Sequence, residues 1–174
     1  MIDYLRLYTD KLQPVLEFNE NPLVLLSLQY LPGHEIVGDP APDGWSFDIF
    51  NGLQVDAWDR GIERSLLGTS LLAPNGGLAL DLARAVKPTS FTLLTNRRLA
   101  LVKDVSEPGA QASVEWHCSI DDVALIRRAP RGLLARGRVL AAFRDGSAVH
   151  LVAGTVSSKK AKQLVAAFAS LRRS

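Results

Sequence analysis

The chain of 174 residues carries a net charge of +2, and its 47% hydrophobic and 22% charged residues are typical of a soluble globular domain with a sizeable core. Its single cysteine, Cys118, excludes an intrachain disulfide, and the chain lacks the run of about 18 apolar residues that predicts a membrane-spanning helix. Because the first residues also lack the basic head and apolar run of a signal peptide, we expect a cytoplasmic protein.

The small net charge conceals two halves of opposite sign. Residues 1–86 hold 5 basic and 12 acidic residues, for a net charge of −7, whereas residues 87–174 hold 15 and 6, for a net charge of +9. Two such halves either attract each other in the folded chain, which we favour, or leave the basic half to meet an anionic partner.

The N-terminal segment is predicted to be helical over much of residues 1–31. Its apolar residues recur at helical spacing, namely Leu5, Tyr8, Leu12, Val15 and Leu16. Pro14 argues against one unbroken helix, and Asn21-Pro22 reads as a helix start with Asn21 as the N-cap. Residues 23–31 then form either a short apolar helix or a buried strand, which periodicity cannot distinguish.

The next segment contains the signals of a domain boundary, a hairpin and further helices. Residues 38–44 are rich in proline and glycine and predict a loop. Alternating residues on either side of Asn51-Gly52 predict a β-hairpin over residues 45–58. Residues 59–67 and 78–86 favour helices, whereas residues 68–70 and 75–77 are interpreted as loops.

From Ser90 onward the pattern predicts mainly strands, followed by one helix. We predict strands near residues 90–95, 98–103, 113–117, 123–128, 138–144 and 147–153. Asn96-Arg97 and Asp145-Gly146 supply two of the turns. About residues 158–172 form an amphipathic helix, which we expect to close the open mouth of a closed or nearly closed antiparallel barrel.

The order of these elements resembles the bacterial pleckstrin-homology-like (PH-like) family, relatives of the GRAM domain, over roughly residues 88–172. The resemblance is carried by three short motifs: Leu94-Thr95-Asn96-Arg97-Arg98-Leu99, the pair Val114–His117 and Ile120–Val123, and Phe143-Arg144-Asp145-Gly146. It implies an α+β, mainly β fold, a PH-like antiparallel barrel or sandwich of about seven strands capped by a C-terminal helix. It also implies self-association, which is frequent in such proteins.

This resemblance sets the predicted organisation of the chain. We expect a helical N-terminal extension over residues 1–42 that packs on the core. Residues 43–174 then form the PH-like domain, with an insertion near residues 59–87.

The residue pattern predicts no catalytic residues, no cofactor and no metal site. His34, His117 and His150 are far apart and lack ligand spacing. Adjacent strand residues point to opposite faces, which argues against a thiol–imidazole pair of His117 and Cys118. The chain also lacks a nucleophile elbow, a phosphate loop and a dinucleotide fingerprint. We therefore expect a protein that is not an enzyme.

One segment stands out as a candidate for binding, because residues 127–138 place five arginines around an apolar pair. The candidate partner- or anion-binding residues are Arg127, Arg128, Arg131, Leu133, Leu134, Arg136 and Arg138. In the structural interpretation the leucines fold back and the arginines pair with acids of residues 1–86. In the functional one they contact a protein, an anionic membrane or nucleic acid, of which nucleic acid is the least favoured because no aromatic residues interleave the arginines.

These observations predict a non-enzymatic binding or scaffold module of the bacterial cytoplasm that acts through protein–protein contacts or self-association. The alternative is a peripheral membrane adaptor at the inner face of the membrane. It would bind anionic lipid through the arginine-rich residues 127–138.

Overall fold

The computed structural model describes residues 2–38, 69–73, 76–130, 136–154 and 157–173, which form two β-sheets and four α-helices. The strands are β1 Pro22–Leu26, β2 Gln29–Tyr30, β3 His34–Val37, β4 Thr69–Ala73, β5 Phe91–Thr95, β6 Arg98–Lys103, β7 Ser113–Ser119, β8 Val123–Arg128, β9 Arg138–Phe143 and β10 Ala148–Val152. The α-helices are α1 Tyr4–Leu7, α2 Thr9–Leu12, α3 Leu78–Ala85 and α4 Lys159–Leu171. Short 3-10 helices lie at Gln13–Val15 and Ile120–Asp122.

The strands are divided between a first sheet with the order β1-β5-β6-β7 and a second with the order β3-β4-β10-β9-β8. Strand β2 pairs with β10 as well. All described pairs are antiparallel except β3 with β4. The fold is therefore α+β and mainly β, with a C-terminal helix, as the sequence predicts.

The expectation of a closed or nearly closed barrel is wrong, because the described strands form two separate sheets. The 3-10 helix Ile120–Asp122 turns the chain after β7, so that β8 pairs with β9 in the second sheet. Helix α4 packs against β8 of one sheet and β1 of the other, which covers the gap between them. The resemblance implies about seven strands, whereas the described residues hold ten. Six of them are the strands predicted after Ser90, and β1–β4 are the other four.

The N-terminal segment is helical only as far as Val15. The Asn21-Pro22 signal is wrong as a helix start, because Pro22 opens strand β1 at the edge of the first sheet, where a missing N–H is tolerated. Of the two alternatives for residues 23–31, helix or strand, the structure shows strand: residues 23–26 belong to β1, and Gln29–Tyr30 form β2. Strands β1–β3, which lie within residues 22–37, are therefore part of the two sheets, whereas the sequence predicts an extension that packs on the core.

The six strands and the helix predicted after Ser90 are confirmed within one or two residues, and so is the helix over 78–86. Residues 69–73, partly interpreted as a loop, are instead strand β4, all of whose residues are buried. The predicted hairpin over residues 45–58 and the boundary near residue 42 lie outside the described residues, as do residues 59–68 and 74–75 of the insertion predicted near 59–87.

The main core lies between the two sheets and is closed by α3 and α4. Leu164 and Phe168 of α4 are buried in it beside residues of β1 and β8. A second cluster lies on the other face of the first sheet, where α1 and α2 cover Leu93 and Val102. Because both faces of the first sheet are buried, its central strands are nearly continuous apolar runs.

Candidate functional site

The motif at residues 94–99 forms the tight turn between β5 and β6, and Thr95 closes it. The Oγ1 atom of Thr95 accepts hydrogen bonds from the backbone N–H groups of Arg97 at 3.1 Å and Arg98 at 3.0 Å. The same hydroxyl donates to the Glu20 carboxylate at 2.8 Å. This threonine is completely buried, so its polar group is used within the fold.

Arg98 and Glu20 form a buried ion pair that joins this turn to the N-terminal segment. The Nε and Nη2 atoms of Arg98 donate to the two carboxylate oxygens of Glu20 at 2.8 and 2.9 Å. Nη2 also donates to the carbonyl of Val15 at 2.6 Å. Burial by itself would raise the pKa of Glu20, but hydrogen bonds from Arg98, from the Glu17 backbone and from Thr95 outweigh it and lower that pKa.

The other two residues of the turn, Asn96 and Arg97, also form hydrogen bonds with the segment before β1. The Asn21 backbone N–H donates to Asn96 Oδ1 at 2.7 Å, and Arg97 Nη1 donates to the carbonyl of Phe18 at 3.1 Å. The polar atoms of this motif therefore bind residues 15–21 to the β5–β6 turn. The first of the three motifs that carry the resemblance thus has a structural role in this chain.

The Phe-x-Asp-Gly motif has a structural role of the same kind, because its turn caps α3. Gly77 precedes that helix and has no side chain to cap it. Instead, Asp145 Oδ2 accepts from the Leu78 N–H at 2.7 Å, and Ser147 Oγ accepts from the Ala79 N–H at 3.0 Å. Asp145 Oδ1 in turn accepts from the Ser147 N–H and hydroxyl at 2.9 and 2.6 Å. The cap is thus supplied by the β9–β10 hairpin, far along the chain.

The structure places His117 and Cys118 on opposite faces of β7, as predicted. His117 is exposed, whereas Cys118 is buried in the main core. Burial, with a smaller contribution from nearby Asp122, raises the pKa of the Cys118 thiol to about 12. Such a thiol stays protonated near neutral pH and is a poor nucleophile. Among the residues that the structure describes, no three His, Cys, Asp or Glu side chains cluster to hold a metal.

Two polar side chains, those of Tyr30 and His150, lie beside strand β4 of the second sheet. The Tyr30 hydroxyl donates to the Glu35 carboxylate and lies 3.3 Å from Ser70 Oγ. Burial and the Glu35 carboxylate raise the pKa of Tyr30 to about 12, so this phenol stays neutral. The Nδ1 atom of buried His150 lies 3.0 Å from the Thr69 carbonyl.

Four exposed cationic side chains lie where β8 ends, β9 begins and α4 begins. They are Arg128, Arg136, Lys159 and Lys162, and we term this set the basic end. Within the described ranges, none of the four makes an ion pair or a side-chain hydrogen bond. The ion pairs between the described halves instead join Arg97 and Arg98 to Glu17 and Glu20.

Backbone contacts bring these segments together. The Ala129 N–H donates to the Arg138 carbonyl at 2.9 Å, and the Ala153 N–H donates to the Gly137 carbonyl at 2.9 Å. A Cβ atom at Gly137 would lie 2.1 Å from the Gly154 carbonyl oxygen, so only glycine permits this approach. The arginine-bearing segment therefore rests directly on the loop that leads into α4.

The candidate binding residues named from the sequence are placed in part. Arg127 and Arg138 are half-buried, and Arg138 Nη2 donates to the Thr69 carbonyl at 3.1 Å. Arg128 and Arg136 are exposed. Arg131, Leu133 and Leu134 lie outside the described residues.

Lys159 and Lys162 were missed by the sequence analysis, although a signal for them exists. The stretch from Ser157 to Lys162 contains three lysines in six residues, at the start of the C-terminal helix, which the sequence pattern located well. Glu20 was missed for another reason. Its partner Arg98 is 78 residues away, and nothing near Glu20 indicates a buried carboxylate.

A shallow cavity of about 430 Å³ lies along residues 9–22, remote in sequence from the basic end. Its lining mixes apolar and polar side chains, including Leu12, Gln13, Glu17 and Phe18. The Phe18 ring is 86% exposed beside this cavity. Glu17 faces Arg97 and Arg98 at 3.6 and 3.3 Å, so its charge is already balanced.

None of the helices that the structure describes is long and apolar enough to cross a bilayer. No model of a known protein family matches this chain, and no curated protein matches it either.

Proposed function

We propose that this chain is a non-enzymatic binding module with a PH-like fold that acts in the bacterial cytoplasm through contacts with other proteins. The order of elements supports the PH-like assignment: β5–β7 form one antiparallel meander, β8–β10 form a second, and α4 follows and packs on both sheets. Strands β1–β4 are additions of this chain to that plan.

The observation that carries the proposal is the contrast between the polar residues of the two motifs and those of the basic end. The motif residues from Thr95 to Arg98, together with Asp145, form hydrogen bonds with other groups of the chain. The four cations of the basic end have no partner among the described residues. Exposed cations on a rigid scaffold are suited to binding an anionic partner.

The test compares protein binding with membrane binding for the intact chain. The tagged chain is expressed in its own host and crosslinked, and the proteins recovered with it are quantified. In parallel, the purified chain is mixed with phosphatidylglycerol vesicles and floated on a density gradient. We expect a partner protein in stoichiometric amount and little flotation.

The opposite result would favour the alternative, a peripheral membrane adaptor that uses residues 127–138. In that case the chain floats with the vesicles and retains no protein. Self-association is a separate form of protein contact, and light scattering over a range of concentrations measures it directly. A mass of one chain at every concentration would leave contact with a different protein as the proposed function.

A further inference from the structure

We propose that the basic end binds an acidic segment of a partner protein, and that the lysines of α4 are part of this interface. The inference rests on the proposed function, since it assumes a protein partner. It goes further by assigning Lys159 and Lys162 a binding role together with Arg128 and Arg136. It also states the chemistry of the partner, a segment rich in aspartate and glutamate.

The first argument is the charge of the chain around this surface. From residue 123 to residue 174 the sequence holds 11 basic residues and a single acidic one, Asp145. That carboxylate already accepts hydrogen bonds from Leu78 and Ser147. Within residues 123–174 no other acidic side chain is present to neutralise the basic end, and the electrostatic potentials of the four cations add.

The second argument is that the cations lie on neighbouring segments, namely the end of β8, the residues before β9 and the first turn of α4. Lys159 and Lys162 are three residues apart on α4 and so share one face of that helix. Arg128 and Arg136 flank the strand ends that rest on the loop before α4. The strand ends and the start of α4 meet at Gly137, so one acidic segment is able to contact cations from both.

The chemistry of the side chains also fits carboxylates. The guanidinium groups of Arg128 and Arg136 are able to bind a carboxylate through two parallel hydrogen bonds, and both are exposed. The ammonium groups of Lys159 and Lys162 are point charges on flexible side chains, so they are able to adjust to carboxylates that are irregularly spaced. Together they are suited to bind several carboxylates of one segment.

Two other anionic partners are less well matched by the described residues. The large exposed hydrophobic side chains of the described part are Ile2, Leu7, Phe18, Leu31 and Val37. None of them belongs to the basic end, so this surface offers no described group for insertion into a bilayer. It also offers no described aromatic ring on which a nucleic-acid base would stack.

The test uses the full chain and a short fluorescein-labelled peptide of alternating glutamate and serine, titrated by fluorescence anisotropy. A peptide with glutamine in place of glutamate is the neutral control. We expect the acidic peptide to bind and the neutral one not to bind. The affinity should fall about tenfold or more between about 50 and 300 mM NaCl, because exposed charges are screened by salt.

Two double variants locate the surface: K159E/K162E on α4 and R128E/R136E on the strand ends. Each should weaken binding of the acidic peptide about tenfold or more. The matched control is R84E/K103E, which makes the same change of charge at two exposed cations outside the basic end. It should change the affinity less than about threefold, through net charge alone. Circular dichroism and thermal melting establish that all three variants fold.

The outcomes separate this inference from the proposed function. If K159E/K162E binds the peptide as well as the control does, the lysines of α4 are not part of the interface and the inference is overturned. If the intact chain binds phosphatidylglycerol vesicles but not the peptide, it is overturned as well. If the charge-reversed variants still recover the crosslinked partner protein, the proposed function survives and only this surface fails. If the chain recovers no partner and binds no peptide, both fail.

Discussion

Glu20 is buried, although nothing near it in the sequence predicts a buried carboxylate. It is 6% exposed, and its carboxylate accepts hydrogen bonds from Arg98, from Thr95 and from the Glu17 backbone. Removing one partner of a buried ion pair is costly, because the other charge then remains buried without compensation. The pair therefore couples the position of the N-terminal segment to the β5–β6 turn.

Glu20 makes the stability of the fold depend on pH in the acidic range. In the unfolded chain Glu20 titrates near its usual pKa of 4.5, whereas the fold lowers that pKa. Its contribution is therefore fully present above that value and is lost as the pH falls through the folded pKa. We expect the free energy of unfolding to fall between about pH 5 and pH 2, measured by urea denaturation, and to fall less in the variant E20Q.

The matched control is E115Q. The pKa of Glu115 is also lowered, chiefly by its hydrogen bond from Lys87, but Lys87 is largely exposed. Screening by solvent makes such a pair weak, so E115Q should keep most of the acid dependence of the unmodified chain. Equal acid dependence in E20Q and the unmodified chain would show that Glu20 contributes nothing to it.

At the scale of elements, α3 depends on the β9–β10 turn for its N-terminal cap. Gly77 approaches Asp145 so closely that a Cβ atom would lie 2.4 Å from Oδ2. The backbone of Gly77 also has a φ of +94°, which L side chains rarely adopt. This residue is therefore constrained twice, once by conformation and once by the carboxylate it faces.

We predict that G77A lowers the free energy of unfolding by about 2–4 kcal/mol, from backbone strain together with displacement of the Asp145 cap. The neighbouring Gly76 supplies the control, since its φ is +78° but a Cβ atom there would meet nothing within 4 Å. G76A should therefore cost only the strain, about 1–2 kcal/mol. Urea denaturation measures both, and equal losses would mean that contact with Asp145 adds nothing.

The strands after Ser90 were predictable because each hairpin carries its own turn chemistry. Asp145-Gly146 and Asn96-Arg97 mark two of the turns, and the apolar runs beside these turns have the length of a strand. Strand β1 gave no such signal. Val24 and Leu26 face the main core while Leu25 faces the second cluster, so the strand is apolar on both sides and has no period.

The candidate site was predictable only to the extent that it is local in sequence. Arg128 and Arg136 were found as members of an arginine-rich segment, because density of charge is visible in a single stretch. The addition of Lys159 and Lys162 requires knowing that Gly137 lies against the loop before α4. Contacts of this kind join residues about twenty positions apart, and no pattern of period or spacing encodes them.

At the scale of the whole molecule, α4 joins the two sheets into one folding unit. Phe168 is 4% exposed and lies in the core shared by both sheets, and Arg172 donates a hydrogen bond to the Val123 carbonyl at the start of β8. At the other end of the helix, Lys160 Nζ lies 4.5 Å from the centre of the Tyr4 ring. The helix is thus fixed at both ends as well as along its apolar face.

We predict that F168A lowers the free energy of unfolding by about 3–5 kcal/mol, because it leaves a cavity between the sheets. Both sheets should lose stability together, so hydrogen exchange of β1 and β9 amides should accelerate by similar factors. The control A166S changes an exposed position of the same helix and should cost less than about 1 kcal/mol. Faster exchange in only one sheet would contradict a single folding unit.

The cap on α3 also fixes an order of events during synthesis. The helix leaves the ribosome well before Asp145, which follows Leu78 by 67 positions. Until then the Leu78 and Ala79 amides have only water as a partner, and a helix of eight residues is marginal by itself. The nascent chain therefore gains a lasting α3 only when its final hairpin has emerged, so translation that stalls before that point yields a fragment exposed to proteases.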